Sequence, residues 1–156
     1  IQNDKPIIGT YNVNSEGSSD MYYKGANMLH TLRQLVNNDE KWRQMLRGLN
    51  NTFYHQTVTT QEIENYISEF LGLNLTAFFN QYLRDVRIPN FEYSIVNNEL
   101  SYRWNNVVEN FEMPIEIEIN EKSYWIYPNT DWKKMKIDTS EIRIDRDYYI
   151  EYKQLK

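Results

Sequence analysis

The 156-residue chain contains no cysteine and only two histidines. The lack of cysteine excludes disulfides, thiol catalysis and cysteine-bound zinc, but it does not decide between the cytoplasm and the bacterial periplasm. The histidines, His30 and His55, have no neighbouring carboxylates at the spacing of metal ligands. We therefore expect no metal site within this chain, and we interpret both histidines as ordinary core or surface residues.

Long apolar runs and basic clusters are also missing. No apolar stretch approaches the roughly 20 residues that a membrane-spanning helix requires, and a mean hydropathy of −0.76 indicates a soluble protein. The net charge is −5, and the one small basic patch, at residues 133–136, is interpreted as surface charge. We therefore expect neither a membrane nor a nucleic acid as partner.

Aromatic residues are plentiful, with 13 Tyr and 4 Trp, so a core can form. Apolar residues recur at helical spacing as far as about residue 87 and then alternate with polar residues after Ile88-Pro89. This change predicts an α+β fold, in which a helical part of about four helices (residues 1–87) precedes a small antiparallel β-sandwich (residues 88–156). We expect the strands to pack against the helices, because residues 88–156 are too few to form more than a marginal core by themselves.

The helix signals are local and specific. Helices are predicted at residues 20–37, 39–53, from Thr59 onwards, and from Asn74 to about 83, after a loop at residues 1–19. Thr59 with Glu62 forms a capping box, and Asn37 with Glu40 is predicted to form another. Gly72 is placed to end the third helix in a left-handed conformation. Gly48 lies mid-helix and predicts a close helix crossing.

Short alternating segments predict seven strands, with a hairpin turn at Asn97-Asn98. They lie at residues 91–95, 100–104, 115–119, 122–127, 132–137, 141–144 and 148–152. Glutamates at 112, 116, 118 and 121 give an acidic strand face, for which solvation is favoured over calcium binding.

The most specific stretch runs from Tyr22 to Arg33. Apolar residues recur there at positions 22, 26, 29, 32 and 36, which predicts one buried helix face. Gly25 costs roughly 1 kcal/mol against alanine in a helix, which suggests close packing. Lys24 is interpreted as a solvated or salt-bridged lysine. Spacing alone favours core packing for Tyr22.

The run Tyr22-Tyr23-Lys24-Gly25-Ala26 resembles the Tyr-x-Lys-Gly-Ala segment of the aminopeptidase N-like zinc metallopeptidases, the gluzincins. Residues 59–63, residues 75–82 and the Ile88-Pro89 step resemble the later helices and strand-rich tail of that family. The resemblance implies that the Tyr22 hydroxyl is the catalytic group that hydrogen-bonds the oxyanion of the tetrahedral intermediate. A tyrosine suits this role because its hydroxyl donates a hydrogen bond while uncharged at neutral pH.

One departure from the family limits this interpretation. The zinc motif H-E-x-x-H and the Gly-x-Met-x-Asn loop, which binds the peptide amine, are both absent. We therefore expect a C-terminal fragment that is itself inactive and whose Tyr22 is exposed. The full-length protein would bind zinc and peptide substrate, and the remainder of the catalytic domain would be this fragment's partner. Exposed helix faces also make self-association an expectation. The alternative is a non-catalytic module that binds a protein or peptide.

Overall fold

The computed structural model describes residues 1–9 and 17–156, so the loop predicted for residues 10–16 lies outside the described residues. The helical part is confirmed. Its elements are α1 (Asp20–Val36), α2 (Asp39–Thr52), α3 (Thr60–Leu71), α4 (Thr76–Phe79) and a π-helical turn (Asn80–Arg84). Among the described residues, no helix combines the length and apolar content needed to cross a bilayer.

The start and end of α3 follow directly from the sequence. The Thr59 hydroxyl accepts a hydrogen bond from the Glu62 backbone N–H at 3.3 Å, and the Glu62 carboxylate accepts one from the Thr59 N–H at 2.7 Å. This is the predicted capping box. Gly72 ends the helix with φ of 71°, a left-handed conformation that glycine adopts without steric cost.

The capping box predicted for α2 from Asn37 and Glu40 does not form. Asn38, not Asn37, caps α2, and its side chain accepts a hydrogen bond from the Lys41 N–H at 2.9 Å. Asn37 instead ends α1 in a left-handed conformation. Two adjacent asparagines therefore divide the tasks of ending one helix and starting the next.

The close helix crossing predicted at Gly48 is confirmed. A Cβ atom placed there would collide with the Tyr66 hydroxyl of α3, whereas the nearest ring carbon, Cζ, lies 3.4 Å away. Tyr66 has little room to retreat, because its ring packs against Phe53 and Phe70.

We expect Gly48→Ala to lower the free energy of unfolding by about 1–3 kcal/mol, the usual range for overpacking. In a Tyr66→Phe background the colliding oxygen is gone, and the same change should stabilise α2 by up to about 1 kcal/mol through helix propensity. Gly25→Ala in α1 is the control, since a Cβ there has no neighbour within 4 Å among the described residues. Urea denaturation of the four variants checks this, and equal effects of Gly48→Ala in both backgrounds would contradict it.

The strands form two sheets. They are β1 (Asn90–Val96), β2 (Glu99–Asn105), β3 (Ile115–Ile119), β4 (Lys122–Ile126), β5 (Lys133–Lys136), β6 (Arg143–Ile144) and β7 (Glu151–Gln154). One sheet has the order β5-β2-β1-β7 and the other β4-β3-β6. The β1–β2 hairpin turns at Asn97 and Asn98, both with positive φ, as predicted. The α+β class is thus confirmed, with helices preceding strands.

The last strand departs from the antiparallel prediction. β7 pairs in parallel with β1, because the chain reaches it from β6 of the other sheet and not through a hairpin. It also begins at Glu151, later than the predicted residue 148. Tyr148 and Tyr149 precede it: Tyr148 is buried in the core, and Tyr149 bonds to the helical part.

One hydrophobic cluster joins the helical part to the β-module, defined here as residues 88–156. Polar contacts reinforce this joint. The buried Tyr82 hydroxyl donates to the Tyr149 carbonyl at 2.9 Å, and the Tyr149 N–H donates to the Thr31 hydroxyl of α1 at 2.8 Å. The division of the chain into two domains at residues 87 and 88 stays a prediction.

Candidate functional site

Helix α1 buries a different face from the one that the sequence predicts. The predicted face is wrong at Tyr22, Ala26 and Leu29, which are all exposed, and right at Leu32. The residues of α1 that are buried are Asp20, Lys24, Met28, Thr31 and Leu32. From Asp20 to Thr31 these residues are spaced by four, four and three, which is also helical. Three of the five are polar, so a search for apolar residues at helical spacing does not find this face.

The polar residues of the inner face are buried because each finds a hydrogen-bond partner. The Lys24 ammonium donates to the Asp85 carbonyl at 2.8 Å, and the Thr31 hydroxyl accepts from the Tyr149 N–H. The prediction that Lys24 is solvated or salt-bridged is therefore wrong, since its side chain is fully buried and bonds to a backbone carbonyl. Burial lowers the pKa of Lys24.

Alongside its buried face, α1 carries a group of residues that we call the outer apolar face, defined as Met21, Tyr22, Gly25, Ala26 and Leu29. Tyr22 is 71% exposed and Leu29 is 40% exposed. The close packing expected at Gly25 is absent among the described residues. Gly25 and Ala26 contribute little side chain to this face, and Tyr22 is the third residue of the helix. The phenol is accessible and can donate a hydrogen bond to a ligand.

The N-terminal segment is fastened to the start of α1 by a buried carboxylate. Asp20 accepts hydrogen bonds from the backbone N–H groups of Gln2, at 2.9 and 3.0 Å, and Asn3, at 2.6 Å. Its own N–H donates to the Ser18 hydroxyl at 3.2 Å. The bonds from Gln2 and Asn3 lower the pKa of Asp20, because they favour the ionised form.

We expect Asp20→Asn to destabilise the chain at neutral pH and to have little effect in acid. The folded pKa of Asp20 lies below its unfolded value, so its contribution is present above the ordinary aspartate pKa of about 3.9 and is lost as pH falls through the folded pKa. Denaturation of both proteins from about pH 7 to about pH 3 measures this. A stability difference that stays constant over that range would contradict the assignment.

The two histidines lie in different surroundings. His30 Nε2 lies 3.6 Å from an Asp147 carboxylate oxygen, and His55 is exposed with its ring against that of Tyr54. In residues 1–9 and 17–156, no three or more His, Asp or Glu side chains are grouped so that they could hold a metal ion.

Some charged residues of the β-module pair with one another. Glu118 pairs with Arg143, and Lys134 pairs with Glu99 at 2.6 Å. The Trp132 ring lies 4.6 Å from the Arg103 guanidinium. A cleft of about 590 Å³ opens beside β6 and β7. Its lining includes Tyr93, Glu116, Glu118, Arg143, Arg146 and Tyr152.

Comparison with known proteins gives a structural likeness only. No family model matches this chain, and no curated protein sequence matches it. Among solved structures, it is similar to aminopeptidase A of Legionella pneumophila, in a crystal structure with aspartic acid, with a TM-score of 0.72 and 15% identity. The likeness covers 87% of this chain and 18% of that enzyme, so the chain spans about a fifth of the length of the protein it matches. The chain therefore shares the fold of one portion of an aminopeptidase.

Proposed function

We propose that this chain is the C-terminal part of a zinc aminopeptidase-like protein and that Tyr22 supplies its oxyanion hydrogen bond. The observation that carries the proposal is the placement of Tyr22 on the exposed, outer apolar face of α1. The family resemblance of the segment from Tyr22 to Ala26 and the fold likeness to an aminopeptidase support it.

The mixed burial of α1 favours a further neighbour. A surface helix normally turns its apolar stripe towards the protein core; α1 does bury Met28 and Leu32, but it also buries the polar Lys24 and Thr31 while Tyr22 and Leu29 are exposed. A contiguous exposed apolar patch usually marks an interaction site. The partner that we propose is the remainder of a catalytic domain, consistent with the large share of the matched enzyme that lies outside the likeness.

The described residues group no three potential zinc ligands, so the zinc ligands belong to the proposed missing segment. Zinc bound there would activate water and polarise the scissile carbonyl. Within this chain, Tyr22 has one task, which is to donate its hydroxyl proton in a hydrogen bond to the oxygen on which negative charge develops.

The test compares this chain with the proposed longer protein, meaning a polypeptide in which a metal-binding segment precedes this chain. The proposal requires an H-E-x-x-H motif upstream, with a glutamate ligand on the following helix. We expect the longer protein to contain zinc and to hydrolyse aminoacyl-anilides, and we expect this chain alone to do neither. An upstream sequence without zinc ligands would overturn the proposal and favour the module that binds a protein or peptide.

A further inference from the structure

Lys24 makes an unusual contact for a lysine in the second turn of a helix. Its side chain is fully buried, and its Nζ atom donates to the Asp85 carbonyl at 2.8 Å. Asp85 immediately follows the π-helical turn. One hydrogen bond therefore connects the start of α1 to the end of the helical part, 61 residues further along the chain.

Asp85, which supplies the carbonyl that Lys24 contacts, makes further hydrogen bonds through its side chain. The Asp85 carboxylate accepts hydrogen bonds from the Arg87 N–H at 2.8 Å and from its guanidinium at 2.7 Å. The same guanidinium donates to the Val107 carbonyl of the β-module at 2.9 Å. Asp85, the hydrogen-bond partner of Lys24, is thus connected through Arg87 to the β-module as well as to the helical part.

Lys24 and Tyr22 lie on opposite sides of α1. Successive residues of an α-helix turn by about 100°, so positions two apart differ by about 200°. A contact that draws Lys24 inwards therefore holds Tyr22 outwards. Thr31, which bonds to Tyr149 two turns later, fixes the same rotation further along the helix.

We propose that Lys24 is a positioning residue for Tyr22: its bond to the Asp85 carbonyl fixes the rotation of the first turns of α1 and so the direction of the Tyr22 phenol. This inference rests on the proposed function. Stability alone explains the lysine poorly, because an apolar side chain of similar length would fill the same space without burying a charge. The lysine adds a directional bond, which an apolar side chain cannot make.

Hydrogen exchange on the full chain of 156 residues tests the tether independently of any activity. In Lys24→Met we expect the amides of residues 22–26 to exchange about tenfold faster or more, through local opening, while the global unfolding midpoint changes little. Lys41→Met is the matched control, since Lys41 Nζ also donates to a backbone carbonyl, that of Leu71 at 2.9 Å, but on α2. Unchanged exchange at residues 22–26 in Lys24→Met would overturn the proposal. If that variant does not fold, Lys24→Gln takes its place in the same comparison.

Kinetics of the longer protein test the effect on Tyr22. We expect Lys24→Met to lower kcat about 10- to 100-fold with KM nearly unchanged, as for a misplaced catalytic group. Adding Lys24→Met to Tyr22→Phe should lower kcat little further, because both changes weaken the same hydrogen bond from Tyr22 to the oxyanion. The proposal would be overturned if the kcat loss of the double variant equalled the product of the two single losses. It would also be overturned if Tyr22→Phe lowered kcat and Lys24→Met left it unchanged. An unchanged kcat in Tyr22→Phe would instead overturn the proposed function.

Discussion

Replacing Tyr22 with phenylalanine in the longer protein is expected to lower kcat about 100- to 1000-fold, the usual cost of losing one oxyanion donor. The change removes a single oxygen from a side chain that is 71% exposed, so the free energy of unfolding should hardly change. The loss should appear in kcat and in kcat/KM alike, because the hydrogen bond is strongest in the transition state. Steady-state hydrolysis of an aminoacyl-anilide provides the measurement.

Tyr23→Phe is the matched control for this experiment. Tyr23 is the next residue of α1, is equally exposed at 71%, and loses the same atom. We expect its kcat to stay within a few-fold of that of the unmodified longer protein, since surface changes of this kind have small effects. Equal rates for the two variants would remove Tyr22 from the mechanism.

Trp104→Ala is expected to lower the free energy of unfolding by about 3–5 kcal/mol, the range for removing a large buried aromatic side chain. Trp104 is 1% exposed, its indole N–H donates to the Met113 carbonyl at 2.9 Å, and its ring packs edge-on against Phe91 and Phe111. Because one hydrophobic cluster spans both parts of the chain, helices and strands should unfold together. Chemical denaturation gives both transitions when it is followed by helical circular dichroism and by the fluorescence of the β-module tryptophans, in a background where Trp42 of α2 is replaced by phenylalanine.

Trp132→Ala serves as the control for Trp104→Ala. Trp132 is 42% exposed, and its ring lies 4.6 Å from the Arg103 guanidinium, an interaction of about 0.5–1 kcal/mol at exposed sites. A loss of about 1 kcal/mol or less is therefore expected. If Trp104→Ala shifts the transition seen by fluorescence and leaves the transition seen by circular dichroism in place, then the helical part and the β-module unfold separately. The shared hydrophobic cluster would then not couple them.

Several features of the fold could be predicted because the interactions that cause them are local in sequence. The Thr59–Glu62 capping box and the left-handed Gly72 depend on residues within one helical turn. The Asn97-Asn98 hairpin depends on two residues that tolerate positive φ. Gly48 was informative for another reason: glycine within a helix is unfavourable, so its presence indicates a neighbour that leaves no room for a side chain.

The buried face of α1 could not be predicted, because it depends on distant backbone groups. Polar side chains are buried when a partner satisfies them, and the partners of Lys24 and Thr31 are backbone atoms of Asp85 and Tyr149. The parallel pairing of β7 has the same origin, since β7 adds to the edge of β1 after a crossover that carries no local signal. The candidate site was thus proposed from the family resemblance, while the buried contacts of Lys24 and Thr31 emerged only from the structure.

The proposed function requires that another segment of the longer protein cover the outer apolar face of α1, which has Tyr22 near its start. Hydroxyl-radical footprinting of Met21, Tyr22 and Leu29 in this chain and in the longer protein tests it most directly. We predict strong modification of all three in this chain. In the longer protein, Met21 and Leu29 should be protected, while Tyr22 remains accessible through the active-site opening. Equal modification of Met21 and Leu29 in the two proteins would show that nothing covers the face and would contradict this account.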